Sequence, residues 1–286
     1  MTNTMLSIGH GYSARVLARL LRPQGWRILG TTRDPGEKPV GECDADGIRA
    51  WPGSDLSDWL SDATHLLTSV APTRDGDPVL ASLETQIFEA APHLQWAGYL
   101  STTGVYGDHG GGWVDETTPL TPSTRRGELR VEAEAAWQEL ARRSGLPLHI
   151  FRLAGIYGPG RGPFAKVRAG TARRIVKPDQ VFSRIHVEDI AAVLAASIAR
   201  PAPGTIYNVC DNLAAPPQDV LAHAAELLGL PVPPAVPIEE AEMSEMARSF
   251  YAESKRVSNR RIREELGVEL RYPTYREGLR ALMDAE

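Results

Sequence analysis

Residues 5–21 read MLSIGHGYSARVLARLL, and this stretch decides the fold of the whole chain. Its first four residues are mostly apolar and predict a short buried strand that runs into a glycine-containing turn. From Tyr12 onward, apolar side chains recur at positions 14, 17, 18 and 21, which is the spacing of one face of an α-helix. The sequence therefore predicts a strand, a glycine turn and a helix.

The glycine turn carries the motif G-x-G-x-x-A from Gly9 to Ala14. Glycines permit a tight turn and let backbone N–H groups approach a pyrophosphate, while the helix N-terminus supplies partial positive charge. A strand before the motif and a helix after it are the context that this fingerprint requires. The motif predicts a dinucleotide site with contacts from Gly9, His10, Gly11, Tyr12 and Ser13.

Short apolar runs alternate with helical patterns over most of the chain, the βαβ rhythm of a parallel sheet. Strands are predicted at residues 5–8, 26–31, 48–52, 65–71, 96–101, 148–153 and 205–209. Helices are predicted at residues 12–24, 78–91, 128–144, 187–199, 256–266 and 275–283. Prolines punctuate residues 216–237 and indicate a lobe that covers the carboxyl ends of the strands. The predicted fold is α/β, a Rossmann doubly wound parallel sheet with a small C-terminal substrate lobe.

Composition excludes several classes of partner. The net charge of −5 argues against a general nucleic-acid binder, because phosphate backbones favour basic proteins. No apolar run approaches the ~20 residues that span a bilayer, so no membrane partner is expected. Cys43 and Cys210 lie far apart without ligand spacing, so neither a disulfide framework nor a metal site is expected. A cytoplasmic protein with a small-molecule substrate fits these features.

The end of the second predicted strand bears on the choice of dinucleotide. An NAD enzyme usually presents an acid to the ribose hydroxyls about 20 residues after the glycine motif. Here the strand ends in Thr31-Thr32-Arg33, whose guanidinium can pair with a 2′-phosphate. Asp34 follows directly, so NADP(H) is favoured and NAD(H) stays the alternative cofactor. Later strand ends predict further cofactor contacts from Asp55, Leu56, Ser69, Val70 and Ala71.

Four blocks of sequence resemble the extended short-chain dehydrogenase/reductase superfamily, of the NAD-dependent epimerase/dehydratase kind and in an atypical subgroup. Residues 101–107, STTGVYG, resemble its S-[ST]-x-x-V-Y-G block. Residues 152–161, RLAGIYGPGR, resemble its R-x-x-x-x-Y-G-P-G-R block, and residues 184–189, RIHVED, its block around I-H-V-x-D. Tyr207-Asn208-Val209 is similar to the Y-N-V of its seventh strand. The blocks follow the family's order along nearly the whole chain.

The resemblance implies a Rossmann core at residues 1–161, continued by residues 183–212, and a substrate lobe at residues 162–182 and 213–286. It implies chemistry on a nucleotide sugar or a related polar carbonyl compound. Thr102 occupies the position of the family's catalytic Ser/Thr, which hydrogen-bonds the reacting oxygen. The same blocks supply the candidate substrate contacts Thr103, Tyr157, Arg161 and Arg184.

One departure from the family pattern affects the chemistry directly. The family carries a Tyr-x-x-x-Lys pair on the helix after the fifth strand, where the tyrosine is the acid/base and the lysine holds the ribose. The corresponding positions here are Arg126 and Arg130, and the sequence contains no Y-x-x-x-K. Arginine does not exchange protons near neutral pH, because its pKa lies above ~12. Arg130 can still position a ribose or phosphate, whereas Arg126 cannot act as general acid/base.

Other side chains are candidates for the missing proton donor. Tyr106 and Tyr157 lie near strand ends, and Asp108 and His109 follow Tyr106. The tyrosine of the Tyr106 block usually packs, and His109 has a suitable ordinary pKa but lies beside a glycine run. His186 is expected to order the loop before its helix. Five cationic side chains of the lobe can bind a diphosphate or simply face solvent: Lys166, Arg168, Arg173, Arg174 and Lys177.

Two functional hypotheses follow. The first is an NADP-dependent oxidoreductase or epimerase in which Thr102 polarises the substrate oxygen. The second is a non-catalytic NADP(H)-binding redox sensor or regulatory module, which the loss of the acid/base pair favours. A homodimer through the helix predicted at residues 128–144 is open under either hypothesis.

Overall fold

Parallel strands dominate the computed structural model, which describes residues 2–34, 36 and 44–285 of the chain. In chain order the strands are β1 (Thr4–Ile8), β2 (Arg27–Thr32), β3 (Gly47–Ala50), β4 (His65–Thr68), β5 (Trp96–Thr102), β6 (Trp113–Val114), β7 (Leu148–Leu153), β8 (Gly155–Tyr157), β9 (Arg174–Val176), β10 (Arg184–His186), β11 (Ile206–Val209), β12 (Ala235–Pro237) and β13 (Arg256–Val257). Seven of them form one sheet in the order β3-β2-β1-β4-β5-β7-β11, with every neighbouring pair parallel. This strand order confirms the predicted doubly wound Rossmann fold.

Helices cover both faces of this sheet. They are α1 (Tyr12–Leu21), α2 (Ser57–Asp62), α3 (Pro78–Ala90), α4 (Arg125–Ser144), α5 (Phe164–Arg168), α6 (Val187–Ala199), α7 (Pro217–Leu227), α8 (Glu245–Tyr251), α9 (Arg260–Glu264) and α10 (Tyr275–Asp284). One apolar cluster joins α1 and α6 to one face, and a second joins α2, α3 and α4 to the other. Alternation along β1 divides its side chains between them, with Met5 in the first cluster and Leu6 and Ile8 in the second.

The strand–turn–helix unit at the start of the chain forms where the sequence predicts it. α1 begins at Tyr12 after the glycine motif and buries Leu17, Ala18 and Leu21. A short 3-10 turn follows and ends at Gly25, whose φ of 84° lies in the left-handed region that favours glycine. β1 therefore delivers the glycine motif to the carboxyl edge of the sheet.

A lobe with its own small core stands beside the sheet. Apolar side chains of α5, α7 and α10 pack together, including Phe164, Ala224 and Leu279, all at most 3% exposed. β9 and β12 pair in parallel and close this lobe. Tyr157 at the end of β8 packs into the same cluster and so connects the lobe to the core.

The predicted boundary of the lobe is wrong for its middle part. β13 pairs with β6 of the Rossmann core, and Ile262 and Leu266 pack into the first sheet cluster. Arg261 donates to the carbonyl of Ile206 in β11 at 3.0 Å. These elements are short, so they carry too little periodicity to reveal which core they join. The chain after residue 255 therefore returns to the sheet before it ends in α10.

Two further features bear on the expectations about membranes and metals. Within them, no helix is both long and apolar enough to cross a membrane, and no group of three potential metal ligands comes together. Cys210 is a buried free thiol, and Cys43 lies outside the described residues.

Gly98 makes room for the indole ring of Trp96, the first residue of β5. Trp96 is fully buried, and its indole N–H donates to Ser197 Oγ at 3.0 Å, which fixes the ring. A Cβ at position 98 would lie 2.2 Å from Trp96 Cη2. The ring cannot yield without losing its packing and hydrogen bond.

Gly98→Ala should therefore lower the free energy of unfolding by about 1–3 kcal/mol through overpacking. Urea unfolding followed by circular dichroism measures the change. The control is Gly162→Ala, where the new Cβ meets only Leu282 Cδ1 at 3.8 Å, and a change within about 0.5 kcal/mol is expected. Equal effects of the two substitutions would contradict this account of β5.

Candidate active site

A cleft of about 830 Å³ opens between the carboxyl edge of the sheet and the lobe. It brings together most of the site residues predicted from sequence: Gly9, Gly11, Tyr12, Ser13, Ser69, Thr102, Thr103, Arg126, Arg130, Tyr157, Arg161 and Arg184. They come from six separate segments of the chain. Only a fold that aligns the strand ends brings them to one place, as a doubly wound sheet does.

The glycine turn fits a dinucleotide pyrophosphate. Gly9 has a φ of 80°, and a Cβ there would lie 3.0 Å from Val70 Cγ2 and 3.1 Å from Ser69 Oγ. A Cβ on Gly11 would meet nothing closer than 3.8 Å, which leaves open space over the turn. α1 has no side-chain cap at its N-terminus and no acidic residue in its first turn, so an anion can accept from its first N–H groups. This cradle suits NAD(P), whose phosphates the turn would hold.

Two of the predicted cofactor contacts, His10 and Thr31, have buried side chains that support the glycine turn. The His10 ring is buried against Gly30, where a Cβ would lie 2.7 Å from His10 Cγ. Thr31 is 1% exposed, and its hydroxyl accepts from the N–H of Gly9 at 2.9 Å. Both side chains are enclosed in the support of the glycine turn, and the cofactor contacts of His10 and Thr31 stay predictions.

The side chain of Leu56 is fully buried in the second sheet cluster, and its cofactor contact stays a prediction. Asp55 beside it is exposed, and hydrogen bonds from the N–H and hydroxyl of Ser57 hold the pKa of its carboxyl below the usual value. Val70 packs on Gly9, Ala71 is exposed, and both lie outside the described lining of the cleft. The roles of Asp55, Val70 and Ala71 toward a cofactor stay predictions.

Arg33 directly follows β2 as an exposed side chain without an ion pair to any described residue. Asp34 beside it is also exposed and accepts from the N–H of Gly36 at 3.0 Å. The guanidinium therefore has no carboxylate partner in the described structure that a 2′-phosphate would have to displace.

Thr102 and Arg130 meet at the end of β5. The Thr102 hydroxyl accepts from the N–H of Gly104 at 3.2 Å and caps a 3-10 turn over residues 103–106. Arg130 reaches back from α4 and donates to the Leu100 carbonyl and the Tyr99 hydroxyl, both at 2.9 Å. The guanidinium is thereby fixed at the strand end, where it can hold a ribose or phosphate oxygen.

Arg126 lies one helical turn earlier on α4 and is exposed in the cleft. Its guanidinium carbon sits 4.6 Å from the ring centroid of Phe250 on α8, a cation–π contact across the mouth. Phe250 is 47% exposed, a large apolar surface at a cleft edge. The position of the family's tyrosine is thus occupied by a permanent cation beside an aromatic ring.

Tyr106 is not an acid/base group, and its catalytic prediction is wrong. The side chain is fully buried and lies outside the described lining of the cleft. Its hydroxyl donates to Asn208 Oδ1 at 2.8 Å and accepts from Arg152 at 2.9 Å. Burial raises the pKa of Tyr106, which makes proton release less favourable still.

Arg152 and Glu134 form a buried ion pair beneath the cleft, which sequence reasoning missed. Both side chains are 3% exposed, and the shortest N–O distance is 2.7 Å. Glu134 also accepts from Ser101 Oγ at 2.5 Å, so helix α4, strand β5 and strand β7 share one carboxylate. The signal available in the sequence was an arginine inside the apolar strand LHIFRL, which must find an anion when buried.

The predicted substrate contacts divide into two groups. Thr103 and Arg161 line the cleft with partly or fully exposed side chains, and the Arg161 guanidinium carbon lies 5.9 Å from the ring centroid of Tyr12. Tyr157 is 7% exposed and packs edge-on against His186. Arg184 donates to the carbonyls of Phe182 and Ala215 at 2.8 and 3.0 Å, which positions it as a fixed cation in the wall.

Several smaller expectations have clear outcomes. His186 caps α6 by accepting from the N–H of Glu188 at 3.2 Å, which confirms its loop-ordering role. His109 contacts the Tyr106 carbonyl at 3.1 Å and lies outside the described cleft lining. The five lobe cations at positions 166, 168, 173, 174 and 177 also lie outside this lining.

The segment 249–255 contributes cleft residues that no motif announced. Ser249, Phe250, Tyr251, Glu253 and Lys255 all line the cleft. Lys255 is 9% exposed and donates to the Gly107 carbonyl at 2.7 Å and to Glu253 Oε2 at 2.6 Å. A buried lysine so far along the chain was detectable only as a charge between helical patterns, which is usually solvated.

Known proteins similar to this chain share both its sequence and its architecture. The sequence model of the NAD dependent epimerase/dehydratase family matches residues 80–210. Protein YeeZ of Escherichia coli K12 is 32% identical over 281 aligned residues, which cover 93% of this chain and 95% of YeeZ.

Two solved structures are similar to this chain over nearly its whole length. The functionally unknown conserved protein from Silicibacter pomeroyi DSS is 61% identical, with a TM-score of 0.92 and 100% of both chains covered. UDP-glucuronic acid 4-epimerase from Bacillus cereus, solved in complex with NAD, is 17% identical with a TM-score of 0.78, over 98% of this chain and 97% of that one. At 17% identity, the similarity to this epimerase shows a shared fold alone.

The Glu134–Arg152 pair is expected to be essential for stability. Glu134→Ala leaves the Arg152 charge buried without a carboxylate, so the free energy of unfolding should fall by about 3–5 kcal/mol. Chemical denaturation measures it. Glu139→Ala, which removes an exposed partner of Arg142 on the same helix, is the control and should have little effect. A stable Glu134→Ala protein would contradict the role given to the pair.

Proposed function

Because the chain belongs to the NAD-dependent epimerase/dehydratase family, we propose that it is an oxidoreductase that uses NADP(H) and acts on a nucleotide sugar or a related anionic carbonyl compound. The proposal has two parts, the cofactor and the substrate class. Each is carried by side chains of the cleft and by the end of β2.

The charge of the cleft is the observation that carries the substrate class. Five cationic side chains and one carboxylate belong to its described lining: Arg126, Arg130, Arg161, Arg184, Lys255 and Glu253. The whole chain has a net charge of −5, so this concentration of cations is local. Guanidinium groups bind phosphates and carboxylates through paired hydrogen bonds. A ligand with several negative charges fits such a cleft, and a dinucleotide together with an anionic substrate supplies them.

The preference for NADP(H) rests on Arg33. Its guanidinium is exposed at the end of β2 and unpaired within the described structure. A 2′-phosphate placed there gains a charge-assisted hydrogen bond, whereas the hydroxyl of NAD(H) gains a weaker neutral one. Asp34 reduces this advantage without removing it, because its carboxylate already accepts from the N–H of Gly36.

The chain's own residues divide the work of the reaction. When bound, the nicotinamide supplies or accepts a hydride. Thr102, at the strand end, donates its hydroxyl to the reacting oxygen. Arg130 takes the positioning role of the family's lysine, since it is anchored to Leu100 and Tyr99 beside Thr102. Arg126 binds anionic groups and does not exchange protons.

A non-catalytic NADP(H)-binding regulatory module is the second candidate, favoured by arginine at both positions of the acid/base pair. It requires cofactor binding that changes affinity for a protein partner without consuming cofactor. Pull-downs with and without NADPH that recover the same proteins would remove this candidate.

The cofactor part is tested by Arg33→Asp. Removing the cation and adding an anion should weaken NADPH binding by roughly 10-fold or more, with a much smaller effect on NADH. Fluorescence titration of both reduced cofactors measures the ratio. Arg27→Asp, which alters an exposed arginine at the other end of β2, is the control. Equal losses for both cofactors in Arg33→Asp would contradict phosphate recognition.

The reaction is tested with NADPH and a panel of sugar nucleotides and ketones, by following cofactor absorbance. Thr102→Val should reduce turnover by roughly 10²-fold, because the reacting oxygen loses a hydrogen-bond donor. Thr121→Val removes a nearby hydroxyl that bonds the Tyr106 carbonyl outside the cleft lining, and it should retain turnover. Wild-type protein with no more turnover than Thr102→Val would contradict an enzymatic role.

A further inference from the structure

We propose that Lys255, held against the Gly107 carbonyl by the Glu253 carboxylate, is the proton donor that replaces the family's missing tyrosine. This proposal rests on the proposed function, since it assigns a proton source to that reaction. It makes the segment 249–255 part of the catalytic machinery, with Lys255 as the catalytic residue and Glu253 as its positioning partner.

Most groups in the described cleft cannot supply a proton. The arginines keep theirs near neutral pH. The Tyr12 hydroxyl donates to the Pro159 carbonyl at 2.9 Å. Tyr157 is buried under α10, where its hydroxyl lies 3.4 Å from the Thr274 carbonyl and its pKa is raised by burial. Two proton-bearing groups then stand out, the Tyr251 hydroxyl and the Lys255 ammonium.

Lys255 is the better donor of the two. The Tyr251 ring packs edge-on against Phe182 on the lobe side, whereas Lys255 bonds the Gly107 carbonyl, which ends the 3-10 turn that Thr102 begins. An ammonium carries three N–H groups. Those of Lys255 reach Gly107 O at 2.7 Å and Glu253 Oε2 at 2.6 Å, which leaves one for a substrate oxygen in the cleft that Lys255 lines.

The pair lies in the corner where the tyrosine is missing. Glu253 Oε1 accepts from Ser123 Oγ at 2.7 Å, and Ser123 lies just before α4, three residues from Arg126. Phe250 stacks on Arg126 from the same segment. Two independent contacts therefore hold segment 249–255 against the start of α4. The Gly107 carbonyl, in turn, ends the short 3-10 turn that Thr102 begins.

The contacts also provide a route for proton return. Ser123 is exposed, its hydroxyl bonds Glu253, and Glu253 bonds Lys255. Glu253 and Lys255 are only 11% and 10% exposed, so the pair is shielded while Ser123 remains in contact with water. A proton lost from Lys255 can be replaced along this chain without opening the cleft.

The proposed step is balanced as follows. The carbonyl carbon accepts a hydride from the reduced nicotinamide, and the electron pair of the C=O π bond moves to oxygen. Lys255 Nζ gives a proton to that oxygen while Thr102 stays hydrogen-bonded to it. The products are an alcohol, the oxidised cofactor and a neutral amine, which regains its proton from water through Ser123 and Glu253.

The experiment compares Lys255→Ala with wild type, using the panel compound that wild type reduces fastest with NADPH. Loss of a general acid should lower kcat by roughly 10²–10⁴-fold with a smaller change in KM. Added methylamine or ethylamine should restore part of kcat, because a small ammonium can enter the vacated space and donate. Circular dichroism and NADPH titration check that the variant folds, and Lys255→Met replaces it where it does not.

A second readout does not depend on turnover. Wild-type protein is labelled with acetic anhydride, and Lys255 and Lys166 are quantified by mass spectrometry, with and without NADP+ and the alcohol product. Bound product should protect Lys255 and leave Lys166 unchanged, since Lys166 is exposed on α5 outside the described cleft lining. Labelling of Lys255 that ignores the product would overturn the assignment.

The outcomes separate this proposal from the function beneath it. Undiminished turnover in Lys255→Ala, or a loss that no amine restores while Tyr251→Phe abolishes turnover, overturns the assignment to Lys255 and leaves the oxidoreductase intact. Wild-type protein that binds NADPH and reduces nothing in the panel overturns the function itself, and the proton donor with it. Lys166→Ala, which removes an exposed lysine of α5 outside the described cleft lining, is the matched lysine variant and should keep wild-type kcat.

Discussion

A single carboxylate ties together the three elements that frame the cleft. Glu134 of α4 accepts from Ser101 of β5 and pairs with Arg152 of β7, where both charges are almost fully enclosed. A buried ion pair tolerates little displacement, because a charge that loses its partner cannot recover the interaction from water. Through Arg152 the constraint extends to Tyr106 and then to Asn208 of β11. The pair thus fixes α4 against the carboxyl ends of three strands.

That frame explains how the site can lose its tyrosine and lysine and remain a site. Thr102 directly follows Ser101, so its position depends on the network through Glu134 and not on the side chains at positions 126 and 130. Arg130 lies one turn before Glu134 on the same helix and uses its guanidinium to hold Leu100 and Tyr99. Arg126 and Arg130 therefore set the charge of the cleft, whereas the buried pair sets the position of α4. The result is a cleft that attracts anions more strongly and needs its proton from elsewhere.

Features of the fold and site were predictable where they depend on a few adjacent residues, and were not where they depend on contacts between distant parts of the chain. The strand–turn–helix unit, the ends of α6 and the cleft residues on strand ends were predictable, because apolar period and glycine position are properties of a few adjacent residues. Tyr106 was misplaced because its hydroxyl is claimed by Arg152 and Asn208, which lie 46 and 102 residues away. The burial of the His10 and Leu56 side chains was not predictable, because a position within a motif does not say which way a side chain turns. Lys255 was missed because its partner Gly107 lies 148 residues earlier.

The residues of the site differ in how strongly the apolar core fixes their positions. Residues at the ends of β1, β5 and β7 are placed by the sheet, and altering their positions would disturb the two apolar clusters that hold the domain together. No side chain of segment 249–255 belongs to either cluster. It is joined to the cleft by polar contacts, Asp108 to Ser254 and Ser123 to Glu253, and by the short β6–β13 pairing that follows. None of the side chains that make these polar contacts belongs to the two apolar clusters, so they can change without repacking the core of the sheet. The proton donor proposed at Lys255 therefore lies on a part of the cleft wall that the sheet does not dictate, whereas Thr102 lies on a part that it does.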